Sequence, residues 1–196
     1  MLGARGATYA DTDSSAFVAH QAATQTFTAE LKQTFHWTFP HRHVESVGRI
    51  CYQAPDRLAM LLTNPVTESV VVRGTDLYVK RDQKPLVHST LQVRNGKPTQ
   101  NVQFLLAFFQ NGCTNYLGLF DAEATRSDNT LAVTLVPKHP IQMFPLRRVT
   151  NVLGLPGFDV QAMRIGLILD SYITYEFIHP VRNQPLDATV FNIPKE

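Results

Sequence analysis

Residues 26–38 read T-F-T-A-E-L-K-Q-T-F-H-W-T, and this stretch decides the fold because its apolar side chains recur at nearly every second position. The inward set is Phe27, Ala29, Leu31, Phe35 and Trp37. This period is that of a strand buried on one face. Residues 39–43 predict a hairpin turn, since a proline interrupts the strand pattern there. Strands predicted at 44–53, 57–63, 68–73 and 77–80 follow with short turns, which indicates an antiparallel meander.

A second decisive stretch is Asn101–Asn111, N-V-Q-F-L-L-A-F-F-Q-N. Its composition predicts a helix over 102–110, which Asn101 caps and Asn111-Gly112 end. The helix is apolar on more than one face. It is therefore either an ordinary core helix or a lid that swings to expose Phe104, Leu105, Phe108 and Phe109.

The remaining segments complete a sheet. We expect a short helix at 14–23, a loop with one short strand at 82–99, and strands at 116–124, 130–136, 158–169 and 172–179. Residues 141–152 fit a helix or an extended segment, and we favour a strand followed by a loop at 154–157. A final edge strand is predicted at 190–194. The fold class is then α+β, with one strongly curved antiparallel sheet and short helices on its concave apolar face, because twisted strands curl large sheets.

Composition limits the function classes. The chain has 196 residues, 44% of them hydrophobic and 17% charged, which is typical of a globular domain. We expect one domain over 15–196 and a disordered tail over 1–14. The net charge of +2 comes without a basic stripe, which disfavours nucleic-acid binding.

No stretch reaches the roughly 18 apolar residues that span a bilayer. The N-terminus lacks the apolar core of a signal peptide, so the protein is cytoplasmic or its export signal is missing from this sequence.

The residues with reactive side chains form no recognised catalytic motif. Cys51 and Cys113 could pair in an exported protein and would be free thiols in a cytosolic one. His36, His41 and His43 surround one turn and could hold a metal, but a solvated hairpin tip is the favoured interpretation. The sequence contains no G-x-S-x-G, phosphate loop, H-E-x-x-H or paired carboxylate motif. We therefore expect no cofactor, no metal and no enzymatic activity.

Several runs, in order, resemble the LolA-type lipoprotein carriers. They are F-T-A-E-L-K-Q at 27–33, A-P-D-R-L at 54–58, V-V-R-G-T-D-L-Y-V at 71–79, L-A-V-T-L-V-P-K at 131–138, Y-E-F at 175–177 and F-N-I-P at 191–194. The resemblance covers residues 26–194. It implies an unclosed half-barrel covered by short lid helices, with an apolar cavity for acyl chains.

The same resemblance implies a function and a place. Such carriers work in the periplasm, where they take lipoproteins from an inner-membrane transporter and pass them to an outer-membrane receptor. Acyl chains, a donor and an acceptor are thus the expected partners, and outer-membrane biogenesis is the expected process. A non-catalytic envelope sensor or protein-interaction domain on the same scaffold is the alternative. We expect the lipid-binding residues on the inward strand faces and on the apolar helix: Phe27, Leu31, Phe35, Trp37, Leu58, Met60, Leu62, Val102, Leu105, Leu106 and Phe109.

One position departs from the family pattern. The best-known carriers have an arginine before the proline that opens the third strand, and that arginine helps to latch the lid. Ala54 precedes Pro55 here. The latch role is not transferred to the nearby Arg49 or Arg57.

Overall fold

The computed structural model describes residues 7–8, 12–82, 84–91, 93–94, 97–98, 101–140 and 145–193. Within these ranges, twelve strands form one antiparallel sheet in the order β1-β10-β11-β12-β13-β14-β2-β3-β4-β5-β6-β7. The order begins and ends on unpaired edges, so the sheet is not closed. The predicted fold class, an unclosed curved sheet with short helices, is confirmed.

Two meanders build this sheet. The first contains β2 (Thr26–Trp37), β3 (Arg42–Gln53), β4 (Arg57–Asn64), β5 (Glu68–Arg73), β6 (Asp76–Arg81) and β7 (Val87–Thr90). The second contains β10 (Phe120–Arg126), β11 (Thr130–Pro137), β12 (Leu146–Gly154), β13 (Asp159–Leu167) and β14 (Tyr172–Arg182), with the two-residue β1 (Ala7–Thr8) on the edge of β10. The pairing of β14 with β2 joins them, and it places Phe177 opposite Leu31.

Helices and short turns occupy the rest of the described chain. Helix α1 spans Thr12–Ala22 and α2 spans Asn101–Asn111, and β8 (Val93–Arg94) pairs only with β9 (Lys97–Pro98). Short 3-10 helices cover Thr114–Leu119, Ile168–Asp170 and Ala188–Phe191. The tail predicted over 1–14 lies mostly outside the described residues and stays a prediction.

Burial alternates along the strands and separates the two faces of the sheet. On β2 the buried side chains Phe27, Ala29 and Leu31 face the helices, whereas Glu30 is exposed on the other face. The helix-side residues of both meanders form one continuous apolar core with α1 and α2. The helices therefore lie on the concave face, as the hydrophobic periodicity requires.

Three segments differ from the prediction. Residues 82–99 contain three short strands rather than one, and Thr114–Leu119 is a 3-10 helix where a strand was expected. The predicted edge strand at 190–194 is wrong in its described part, because Ala188–Phe191 is a 3-10 turn capped by the Asp187 carboxylate, which accepts from the backbone N–H of Thr189 at 2.9 Å. Phe191 packs on the convex face, against Cys51, Ala59 and Val71. Residues 141–144 lie outside the described ranges.

Candidate functional site

Helix α2 lies against the concave face, and the ring of Phe109 fills the space between them. Its centroid lies 4.6 Å from Phe27 on β2, 5.3 Å from Tyr52 on β3 and 6.1 Å from Phe177 on β14. Every α2 side chain from Val102 to Phe109 is buried. In this conformation an acyl chain could enter beneath α2 only if the helix moved.

Helix α1 packs against α2. Phe17 is fully buried, with its ring 5.8 Å from that of Phe108 and 6.4 Å from that of Phe158. The end of α2 allows this approach because Gly112 has a positive φ of 64° and no side chain. A Cβ there would lie 2.7 Å from Cε1 of Phe17. The two helices thus form one apolar layer over the sheet.

A polar contact fastens the C-terminal end of α2. Gln110 donates from Nε2 to the carbonyl oxygen of Pro55 over 2.8 Å. Tyr52 donates from its hydroxyl to the same oxygen over 3.4 Å. Ala54, in the same turn, packs against the core. The last turn of α2 is therefore fastened to the turn between β3 and β4.

Arg182 at the end of β14 fastens α1. Its side chain is about nine-tenths buried and donates from Nη1 to Thr24 Oγ1 over 2.6 Å and to Gln21 Oε1 over 3.4 Å. Its Nε lies 3.3 Å from Asp159 Oδ1. His20 lies nearby, and burial, followed by the charge of Arg182, lowers the pKa of its imidazole. No local pattern predicts this contact, because about 160 positions separate Arg182 from Gln21 and Thr24.

The structure brings together ten of the eleven predicted lipid-binding residues. Nine are buried in the main core: Phe27, Leu31, Leu58, Met60, Leu62, Val102, Leu105, Leu106 and Phe109. Phe35 is half-buried against this core, whereas Trp37 is 39% exposed at the end of β2 with its ring 4.9 Å from that of Phe35. The concave face is therefore covered near the helices and less buried toward the β2–β3 hairpin. The lipid-binding role of these residues stays a prediction.

Sequence reasoning missed a polar set on this face. Burial raises the pKa of Tyr175, the charge of Glu68 raises it further, and a hydrogen bond with Gln33 opposes both effects. Glu68 on β5 pairs with Arg81 on β6. Tyr175 lies on β14, so strands β2, β3 and β4 separate it from Glu68 in the sheet. Only strong curvature brings these two side chains within electrostatic reach.

A buried amide lies farther along the concave face. Asn151 on β12 is 1% exposed, and its Oδ1 accepts no hydrogen bond from the described residues. Its neighbours across the ladder are Val133 and Met163. A polar group in an apolar row is costly without a partner. No periodicity rule distinguishes it from a polar residue of the outer face.

The remaining candidates from the sequence are the two cysteines and the three histidines of the β2–β3 hairpin. Cys51 and Cys113 are both free and buried, and they lie on opposite faces of the sheet. Burial raises the pKa of the Cys113 thiol to about 12, so this thiol is unreactive at neutral pH.

The rings of His41 and His43 lie 5.5 Å and 6.1 Å from that of His36. In the described part of the chain, no group of three potential ligands could hold a metal ion.

Comparisons with known proteins concern the fold. No protein-family model and no curated protein matches the sequence. Among solved structures, the chain is similar to a chain of the Pseudomonas aeruginosa MucA/MucB complex, with a TM-score of 0.50 and 9% identity over 90% of this chain and 58% of that one. It is also similar to a LolA superfamily protein from Nitrosomonas europaea, with a TM-score of 0.46 and 8% identity over 91% and 96% of the two chains.

A further match is the Mycobacterium tuberculosis lipoprotein LppX, with a TM-score of 0.45 and 14% identity over 88% of this chain and 98% of that one. At 9% identity, the match to the MucA/MucB chain shows a shared fold and nothing more. No helix in the described ranges has the length and apolar character needed to cross a membrane.

Proposed function

We propose that this protein is a non-catalytic carrier that binds acyl chains of a lipid or lipoprotein on the concave face of its half-barrel. The supporting observation is the apolar interface between α2 and strands β2, β3 and β14, with Phe109 at its centre. In the proposed mechanism α2 moves away from the sheet and the acyl chain replaces the ring of Phe109. The work is done in the cell envelope, and the cargo moves toward the outer membrane.

The free-energy cost of moving α2 away from the sheet is comparable to the free energy gained by covering an acyl chain. Exposing Phe104, Leu105, Phe108 and Phe109 to water would cost roughly 6–12 kcal/mol, at about 1.5–3 kcal/mol for each side chain. Covering about ten methylenes recovers roughly 8 kcal/mol, at about 0.8 kcal/mol for each. Helix opening in water is therefore rare, and opening against an acyl chain is nearly balanced. Such a balance allows both loading and release.

A fluorescent fatty acid tests the proposal. Delipidated protein should bind it saturably, and excess unlabelled fatty acid should displace it. Phe35→Ser removes an apolar group at the less buried end of the concave face and should weaken binding roughly tenfold. Val47→Ser, on the exposed outer face of β3, is the matched control and should bind like the wild type. Equal affinities in all three proteins, or no saturable binding, would contradict the carrier function.

The second candidate is a sensor or interaction domain. The edge strand β7 supports it, because Val87 there is 55% exposed and a free strand edge can pair with another chain. This candidate would be favoured if a protein partner bound the delipidated protein stoichiometrically and failed to bind the Val87→Pro variant. Retention of fatty-acid binding by Val87→Pro would show that the two functions use different surfaces.

A further inference from the structure

Two apolar side chains stand in solvent at the tips of neighbouring turns. Phe39, between β2 and β3, is 81% exposed, and Leu169, between β13 and β14, is 65% exposed. Leu169 also has a left-handed backbone, with φ of 52° and ψ of 37°, which is unfavourable for a leucine. Neither side chain contributes to the described core. Packing therefore does not account for either residue.

These two turns form one end of the half-barrel, which we call the hairpin end. It comprises residues 36–43, 145–148 and 164–172. The backbone N–H of Thr38 donates to Ser171 Oγ over 3.1 Å, and the ring of His36 stacks on that of Tyr172 with centroids 4.8 Å apart. The tips are thereby held side by side. Trp37, 39% exposed, ends β2 just before this turn.

Positive charge surrounds the tips. The hairpin end contains four arginines, Arg42, Arg147, Arg148 and Arg164, against one carboxylate, Asp170. Arg42, Arg147 and Arg148 are exposed and form no ion pair with a described residue. The guanidinium carbon of Arg164 lies 3.9 Å from the ring centre of Tyr172. The neighbouring Glu45, just outside this end, is already paired with Lys32.

We propose that the hairpin end docks on an anionic lipid bilayer, with Phe39 and Leu169 entering the interface and the arginines contacting the headgroups. Apolar tips flanked by cations suit the boundary between acyl chains and negative headgroups. This surface adjoins the end of β2, where Phe35 and Trp37 are only partly buried. If the proposed carrier function holds, an acyl chain could pass between bilayer and protein at this end with little exposure to water.

The shape of the surface favours a bilayer over a protein partner. A protein interface requires a broad complementary area, on the order of 800 Å² for each partner. Here the two apolar side chains stand on separate turns, and exposed arginines belong to the same end. A fluid interface accepts separate protruding groups without shape complementarity. A protein partner is therefore treated as a contrary outcome of the test.

Vesicle binding by the full chain tests the proposal. Trp37 is the only tryptophan, so its emission reports directly on this end. Vesicles of phosphatidylcholine with about one-third phosphatidylglycerol should co-sediment the protein and shift its emission to the blue, whereas pure phosphatidylcholine should not. Arg42→Gln should weaken this binding roughly fivefold, and Phe39→Ser or Leu169→Ser roughly tenfold.

Two variants at the other end serve as controls. Val181→Ser removes an apolar group that is 44% exposed, and Arg73→Gln removes an exposed arginine. Both should bind vesicles like the wild type. The proposal fails if anionic vesicles do not bind the protein, or if Phe39→Ser and Val181→Ser bind equally. It also fails if Phe39 is needed only for a soluble protein partner. Phe39→Ser should still bind the fluorescent fatty acid, which separates failure of docking from failure of the carrier function.

Discussion

Gln110 Nε2 lies 2.8 Å from the carbonyl oxygen of Pro55, and this hydrogen bond joins the last turn of α2 to the turn between β3 and β4. It lies beside Ala54, which packs against the core. A hydrogen bond between neutral groups typically contributes about 1 kcal/mol. The helix is therefore held mainly by apolar packing, and this is the packing that an acyl chain would replace in the proposed carrier function.

Breaking this hydrogen bond should loosen α2. Gln110→Leu is expected to lower the free energy of unfolding by about 1 kcal/mol, because the Pro55 carbonyl loses a donor. It should also accelerate uptake of the fluorescent fatty acid, measured by stopped-flow mixing. Gln53→Leu, in a neighbouring strand end but not on α2, is the control. Equal uptake rates for the two variants would argue against α2 as the moving part.

Arg182 should matter far more for stability than another arginine of the sheet. Arg182→Met removes the hydrogen bonds that Arg182 donates to Gln21 and Thr24, and it leaves Asp159 without its ion pair. We therefore expect the free energy of unfolding to fall by about 2–3 kcal/mol. Arg164→Met, on the outer face, should cost less than about 1 kcal/mol. Denaturant unfolding measures both values. Similar losses would show that α1 is not anchored through Arg182.

Acid should destabilise the protein partly through His20. Burial and the charge of Arg182 lower the pKa of this imidazole in the folded state, while Asp159 partly opposes them. The unfolded chain therefore binds its proton more readily than the folded one. The stability this group contributes is present above about pH 6.5 and is lost as pH falls toward the folded-state pKa. Denaturant unfolding at pH 7.5 and 5.5 measures how much unfolding free energy is lost on acidification. The loss should be smaller in His20→Gln than in the wild type, and an equal loss would contradict a role of His20.

Two glycines with positive φ provide a matched pair. Gly74 has φ of 61°, and a Cβ there would meet only the Asp56 carboxylate at an ordinary 3.5 Å. Gly74→Ala should cost about 1 kcal/mol from backbone strain alone. Gly112→Ala adds a collision with the buried ring of Phe17, so we expect about 2–4 kcal/mol. Equal costs by thermal or denaturant unfolding would mean that α1 and α2 are not tightly packed there.

The sheet could be predicted from the sequence because the apolar side chains of its strands recur with a period close to two. Strand β2 and its partners have the predicted faces, and α2 matches its predicted span to one residue at each end. The C-terminal run V-F-N-I has the same apolar content as a strand. It folds otherwise because Asp187 caps a turn and Phe191 finds a site on the outer face. Local pattern contains no information on such a site.

The candidate site was predictable only in part, for the same reason. An inward-facing apolar residue is identified by its period, so Phe27, Leu31 and Phe109 were found. The contact of Arg182 with Thr24 joins two distant parts of the chain. The proximity of Tyr175 to Glu68 arises from the curvature of the sheet. Neither has a local signature. The exposure of Phe39 also depends on the hairpin projecting from the sheet.

Photo-crosslinking tests most directly whether acyl chains occupy the concave face. A fatty acid with a diazirine near its methyl end would be bound to delipidated protein, irradiated, and located by peptide mass spectrometry. We predict labelling of Thr26–Trp37 and Asn101–Asn111, with competition by unlabelled fatty acid. Labelling confined to the outer face, or labelling that excess unlabelled lipid does not reduce, would contradict the account.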